Sequence, residues 1–594
     1  MHQPRPTSTN PFARAHMVLI ATVVALVAAA CTSNGQILAT ASSEERPGTG
    51  GGPATTADEE LVWSSCLDEV ASVAGLECAT LAVPVDHAEP DGDTLDLEIA
   101  RVPSTASAED RIGSLLFNPG GPGGSGIEFL ANASAIMPAE LTDRFDLVSW
   151  DPRGVGDSTP VRCLTDDEKD AQIEGDLSPD TDEELDRAIE DQAEFVEGCE
   201  TNHPDLIDNM STADVAADLD LIRQALGDDQ LNYVGFSYGT AIGATYATLF
   251  PDKVRAMVLD GAVSPTADDL QLSITQAQGF ERTYLNFIES CDSQPECALS
   301  GGTASTVEKV RDQLDAEPLA VDTDSGTREL TRDLFDIGLA TALYDTTVWG
   351  PTARSIAEIS TGTGGDFMLS LADRQVGRNP DGTWDNSTDA QVMVNCADST
   401  YRPSLEEALE DGETLVDASP TFGETFRTGA LGCVNWPLAA NPVPEWTAAG
   451  APPILVVGTV GDPATPYEWA EQMTAALVGS VLLTYEGDGH TAFLRAGACV
   501  DDAVVAYLVD LVVPPPGTRC PVEEGAQGES SFAGIRSLLI EELTAAGIPE
   551  EAASCIVDEL EAELGTSGLD ELILGDNPEA LTESVTRAAL TCQQ

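Results

Sequence analysis

Apolar residues along this chain gather into short continuous runs that stop at Gly, Asp or Pro: Ser114 to Phe117, Phe145 to Trp150, Leu231 to Gly235, Val254 to Leu259, Ile454 to Val457 and Val481 to Tyr485. Helical stretches separate them. Continuous runs rich in branched residues, spaced by helices, predict strands buried on both faces of a mainly parallel sheet, the α/β class. The rhythm stops between about 265 and 435, where the sequence turns helical and irregular, so an inserted, mostly helical lid is expected there. It divides the core into 61–264 and 436–520. Beyond Cys520 a helical period returns (Ile535, Leu538, Leu539, Leu543, then Cys555 to Leu564), which predicts a small helical appendage over 521–594. At the other end, Arg5 and Arg14 precede an apolar run from Met17 to Ala30, and a polar Gly/Ser/Thr-rich stretch follows over 32–60. The first has the form of an export signal over 1–31, too short for a comfortable bilayer span, and the second that of a flexible stalk.

Composition sharpens this outline. The 594 residues carry 27 basic and 102 acidic side chains, a formal charge of −75. A surface of that sign repels nucleic acid and anionic headgroups, so nucleic acid is excluded as a partner. Of 13 cysteines, Cys31 directly follows Ala28-Ala29-Ala30, as in a bacterial lipoprotein signal, although a leucine is usual where Ala28 stands. Lipidation at Cys31 is expected, with ordinary cleavage as the alternative; the only membrane contact is then an acyl anchor. The other twelve fall into neighbouring pairs, 66/78, 163/199, 291/297, 396/433, 499/520 and 555/592. Even pairing suits disulfides and an extracytoplasmic location, and the absence of close Cys/His clusters argues against a metal site.

The chemistry lies at the ends of the runs. Gly235-Phe236-Ser237-Tyr238-Gly239 closes one strand and opens a small-residue helix, the context of a nucleophile elbow, so Ser237 is the expected nucleophile of an α/β-hydrolase fold. In that fold the histidine comes last, and of five histidines only His490, in the Gly-rich stretch after Val481 to Tyr485, follows Ser237. The acid expected to hold its tautomer is Asp462, in the loop after Ile454 to Val457. Asp260 is a rival after an earlier strand, and Asp488 is too close to His490 in sequence to reach round its ring. Two backbone N–H groups should hold an oxyanion: that of Tyr238, and one from the loop Asn118-Pro119-Gly120-Gly121-Pro122-Gly123-Gly124-Ser125-Gly126, taken as Gly121. That loop lacks the Gly-Lys-Ser/Thr ending of a phosphate loop.

Together with Trp150-Asp151-Pro152-Arg153-Gly154-Val155-Gly156-Asp157-Ser158, Gly461-Asp462-Pro463-Ala464-Thr465-Pro466, Gly489-His490-Thr491-Ala492 and Ala498-Cys499-Val500, these blocks resemble a family over residues 61 to 520. It is that of the exported tripeptidyl aminopeptidases of high-GC Gram-positive bacteria, similar to proline iminopeptidases. The latter usually have His where Asn118 stands, which favours the tripeptidyl branch. The resemblance implies a serine aminopeptidase that needs no cofactor, takes peptides with a free N-terminus and releases short pieces. It also implies that Asp151 and Arg153 brace the site loops, and that an acidic group in or near the lid, here Asp398, receives the substrate ammonium. An esterase or lipase of the same fold, or a non-catalytic envelope lipoprotein, are the alternatives.

Overall fold

The computed structural model describes residues 61–522, apart from 67–74, 108–109, 176, 180, 267–268 and 324, together with 554–557. The expected export signal, Cys31, the stalk and nearly all of the expected appendage lie outside the described residues. The chain divides into two units, Thr49–Glu524 and one formed by Met1–Gly48 with Gly525–Gln594. The first holds the fold that follows.

Among the described residues its strands are β1 (Ser64–Ser65), β2 (Glu77–Pro84), β3 (Thr94–Val102), β4 (Gly113–Asn118), β5 (Phe145–Trp150), β6 (Leu231–Phe236), β7 (Val254–Asp260), β8 (Leu319–Thr323), β9 (Gly326–Leu330), β10 (Leu455–Gly461), β11 (Val481–Asp488) and β12 (Arg519–Cys520). Ten form one sheet in the order β1-β2-β3-β5-β4-β6-β7-β10-β11-β12. From β5 to β12 every pairing is parallel, whereas β1, β2 and β3 join antiparallel at one edge. The six predicted runs are all strands of the parallel part. The antiparallel strands escape a search for continuous apolar runs because β3 alternates, burying Leu95, Leu97 and Ile99 between polar neighbours.

Alternation splits the core in two. Leu116, Val148, Tyr233, Met257 and Val456 pack on one face, Leu115, Leu147, Val234, Val258 and Val457 on the other. Both faces are covered, as the apolar runs required. The stretch between β7 and β10 leaves the sheet and builds its own core around Phe280, Phe287, Leu334, Leu339, Ile356 and Phe422. It is mostly helical, as expected, but it also contains the antiparallel hairpin β8–β9, whose side chains are largely exposed.

Among the described residues five cysteine pairs are bonded: 66/78, 163/199, 291/297, 396/433 and 499/520. They are the neighbours predicted. Cys592, the expected partner of Cys555, is outside the described residues.

Candidate active site

Strand register brings five loops to one end of the sheet. Asn118 pairs with Gly235, Phe236 with Asp260, Val457 with Asp260, and Gly461 with Asp488. The residues that follow each pair, Gly120 and Gly121, Ser237, Gly261, Asp462 and His490, therefore emerge as neighbours. This is the carboxyl end of the parallel strands, where open α/β sheets carry their ligands.

Ser237 has φ of +53°, the left-handed region that a non-Gly residue seldom occupies. The turn is held from both sides: the Ser237 N–H donates to Asp260 O at 2.9 Å, while Thr240 donates its N–H and its hydroxyl to Ser237 O. Gly235 and Gly239 make the turn possible, since a Cβ on Gly235 would stand 2.3 Å from Gly239 O and one on Gly239 2.7 Å from Asn118 O. The helix Gly239–Leu249 starts directly behind the serine and is buried over most of its length. Its N-terminal dipole favours negative charge at this spot.

Asp462 and His490 are both buried, and the imidazole Nδ1 lies 3.0 Å from each carboxylate oxygen of Asp462. The same carboxylate accepts the N–H groups of Ala464, Thr465 and Thr491 and the Thr465 hydroxyl. These four donors, besides the imidazole, fix the carboxylate in place. Thr465 Oγ1 is also 3.3 Å from Nδ1, a neighbour that the sequence did not single out, although it stands within the Asp-Pro-Ala-Thr-Pro block. Among the described residues the imidazole bonds run through Nδ1, and Ser237 Oγ and the imidazole are not hydrogen-bonded to each other. Of the rival acids, Asp488 accepts from Asn286 Nδ2 at 2.7 Å and Asp260 turns its carboxylate to backbone amides.

The inserted region reaches this pair directly. The ring of Tyr344 stands edge-on to His490 with centroids 5.1 Å apart, and Tyr344 O accepts the His490 N–H at 2.8 Å. Arg495 bridges the two by donating to both His490 O and Tyr344 O, and it pairs with Asp345 at 3.1 Å.

The Gly-rich loop lies against the elbow: a Cβ on Gly120 would come within 2.5 Å of Phe236 O and 3.0 Å of the Tyr238 nitrogen. The Gly120 N–H is taken by Asn118 Oδ1 at 3.0 Å. Asp151 secures the far end of this loop, accepting from the Ser125 hydroxyl and the Ile127 and Asp157 N–H groups, and burial pushes its pKa up to about 6 against those bonds. Arg153 is buried in a separate brace. It clasps Asp218 with two nitrogens and donates to the carbonyls of Pro84, Val85 and Asn209, with His87 Nε2 at 2.9 Å. Burial pushes the Asp218 carboxyl up, but Arg153 outweighs it and holds the group below its ordinary range.

Asp398 ends the helix Ser387–Asp398 and accepts both the N–H and the hydroxyl of Thr212, at 2.6 and 2.5 Å. The Thr212 oxygen in turn lies 2.5 Å from the hydroxyl of Tyr238. A hydrogen-bonded chain thus runs from the inserted region to the residue after Ser237. Burial pushes the Asp398 pKa up to about 7 against the Thr212 bonds, with Asp214 and Asp269 adding to the rise.

A serine on a strained strand-to-helix turn and a buried Asp–His pair, carried at the carboxyl ends of parallel strands, define a serine hydrolase of the α/β-hydrolase fold. Residues 113–496 match the family of that description, and the chain belongs to it. It is 36% identical over 493 residues to the serine protease Hip1 of Mycobacterium tuberculosis, covering 79% of this chain and 93% of that protein. It is 31% identical to the tripeptidyl aminopeptidase of Streptomyces lividans, covering 75% and 84%, and 35% identical to the carboxylesterase B of Mycobacterium tuberculosis, covering 81% and 94%. Within the family the chain is a serine peptidase similar to the tripeptidyl aminopeptidases.

Proposed function

We propose that the protein is an exported aminopeptidase that releases short peptides, tripeptides foremost, from free N-termini, with Ser237 as nucleophile, His490 as base and Asp462 as the acid that orients it. The buried Asp462–His490 pair beside the elbow is the observation that carries this reading. His490 takes the Ser237 proton as Oγ bonds to the peptide carbonyl carbon. The oxygen that becomes negative is received by the N–H groups of Tyr238 and Gly121, neither of which donates to an acceptor among the described residues. His490 then gives its proton to the departing amine as the C–N bond breaks, and water repeats the sequence on the acyl-enzyme to free the peptide.

The inserted region is the lid of this site and limits how much peptide can lie on the acyl side. Asp398 is its receiver for the substrate ammonium; its carboxylate is engaged by Thr212, so an arriving ammonium would share it. The five disulfides among the described residues support an oxidising, extracytoplasmic setting, with Cys31 as the lipid anchor. The carboxylesterase relative favours a second reading, a general esterase using the same residues.

The two separate on paired chromogenic tripeptides, one with a free amine and one acetylated, given to the mature chain and to Ser237→Ala. Cleavage of only the free-amine peptide, reduced roughly 10⁴-fold or more in Ser237→Ala, is expected. Equal cleavage of both would leave the esterase reading, and undiminished turnover by Ser237→Ala would remove the serine mechanism.

A further inference from the structure

Asp260 closes β7 and is fully buried, yet it takes no part in the mechanism above. Its backbone and side chain face two different parts of the site. The carbonyl accepts the N–H of Ser237 at 2.9 Å. The carboxylate accepts the N–H of Ala492 through both oxygens, at 3.1 and 3.0 Å, and that of Phe493 at 2.8 Å. Those amides lie two and three residues past His490, in a turn whose Thr491 and Leu494 both have positive φ, +65° and +70°. Neither residue adopts that conformation readily, so the turn needs fixed acceptors to persist. The next residue, Gly261, has φ of +70°, and a Cβ there would stand 3.3 Å from His490 Cε1, so the backbone at 260–261 lies against the imidazole itself.

We infer that Asp260 is a positioning residue that sets Ser237 and His490 in one frame and keeps a second buried negative charge beside the imidazole as it takes up the proton. The inference rests on the proposed roles of Ser237 and His490. Two anions then flank the ring, in different ways. Asp462 accepts the hydrogen bond of the Nδ1–H, while Asp260 holds the turn and acts on the ring only through space. Burial pushes the Asp260 pKa up to about 6, with the amides of Ala492 and Phe493 and the charge of His490 opposing and Asp462 adding. Tyr344 from the inserted region also stands against the ring, and Arg495 on the histidine loop donates to the His490 carbonyl and is paired with Asp345.

The test is the pH dependence of kcat and KM on a free-amine chromogenic tripeptide for the wild type, Asp260→Asn and Asp260→Glu, with thermal melts to show which variants fold. Asp260→Asn sets an amide N–H₂ against the donors of the turn and removes the charge. It should lower kcat roughly 10- to 100-fold, as a small misplacement of a catalytic group does. KM should stay within about twofold, since Asp260 does not touch substrate. The acid limb of its activity profile should move about one unit to lower pH, because the protonated ring has lost an attractive charge. A merely structural residue would leave the normalised profile unmoved, and a superimposable profile or an undiminished kcat in Asp260→Asn would overturn the inference. Asp260→Glu keeps the charge but pushes it a methylene too far, so it should lose kcat while the acid limb stays in place; if Asp260→Asn does not fold, a Glu variant with full kcat overturns the inference by itself. His490→Ala and Ser237→Ala run alongside: activity retained in them would sink the underlying mechanism, whereas inactive Ala variants beside unaffected Asp260 variants would sink only this step.

Discussion

The end of the parallel sheet and the region inserted between β7 and β10 contribute to the site in different ways. The sheet delivers Ser237, Asp462, His490 and the Gly-rich loop through strand register alone, each loop opening a residue or two past a paired strand position. The inserted region builds a core of its own and touches the site at several places, among them Tyr344 against His490, Gln276 Nε2 donating to Ala464 O, and Asp398 through Thr212 to Tyr238. On the proposed reading, the difference teaches that the chemistry is placed by strand register and the loops that follow it, whereas access and fit depend on side chains carried by a separately packed body. The first tolerates little change. The second can vary while the reaction stays the same.

That contrast can be broken most sharply at Asp462. Asp462→Asn keeps the shape of the side chain but cannot enforce the right imidazole tautomer, and kcat should fall roughly 10³- to 10⁴-fold with KM nearly unchanged, read on the free-amine tripeptide. Tyr344→Ala removes the ring while its carbonyl still accepts the His490 N–H, and a loss of only about tenfold is expected because the sheet-borne bonds remain. A loss as large as that of Asp462→Asn would show that the inserted region shares in the chemistry and would end the distinction.

The smallest effect concerns stability. Asp151 and Asp260 at the sheet and Asp398 in the inserted region all have carboxyl pKa values raised by burial, to about 6, 6 and 7, above the unfolded value of 3.8. A raised carboxyl binds more protons in the folded state, so its contribution is full below about pH 3.8 and is lost as pH rises through 6 to 7. The melting temperature should therefore increase by a few degrees between pH 7.5 and 5, by scanning calorimetry. If Asp398→Asn removes none of that increase, the carboxylate in the inserted region is not among its sources.

Much of the fold was legible because continuous apolar runs mark strands covered on both faces, and all six runs became parallel strands. The hidden parts followed other rules: β3 alternates, and hairpin β8–β9 buries too little to show in hydropathy. For the site, chain order and strand context were enough to select Ser237, His490 and Asp462 for the roles proposed, since few residues met both conditions. Sequence preferred Asp462 to Asp260 but could not say what either carboxylate touches, because each is an aspartate at the end of an apolar run. Only tertiary structure decided that. Asp260 is level with Val457 of β10, whereas β10 continues to Gly461 before Asp462 appears. The later carboxylate reaches the imidazole and the earlier one stops at the amides behind it. Nor could sequence place Thr465, Tyr344 or Thr212, whose parts in the site depend on contacts between segments far apart in the chain. Local pattern determines where a strand ends and which residue follows it; which groups meet beyond that end is set by register between strands and by the packing of the inserted core.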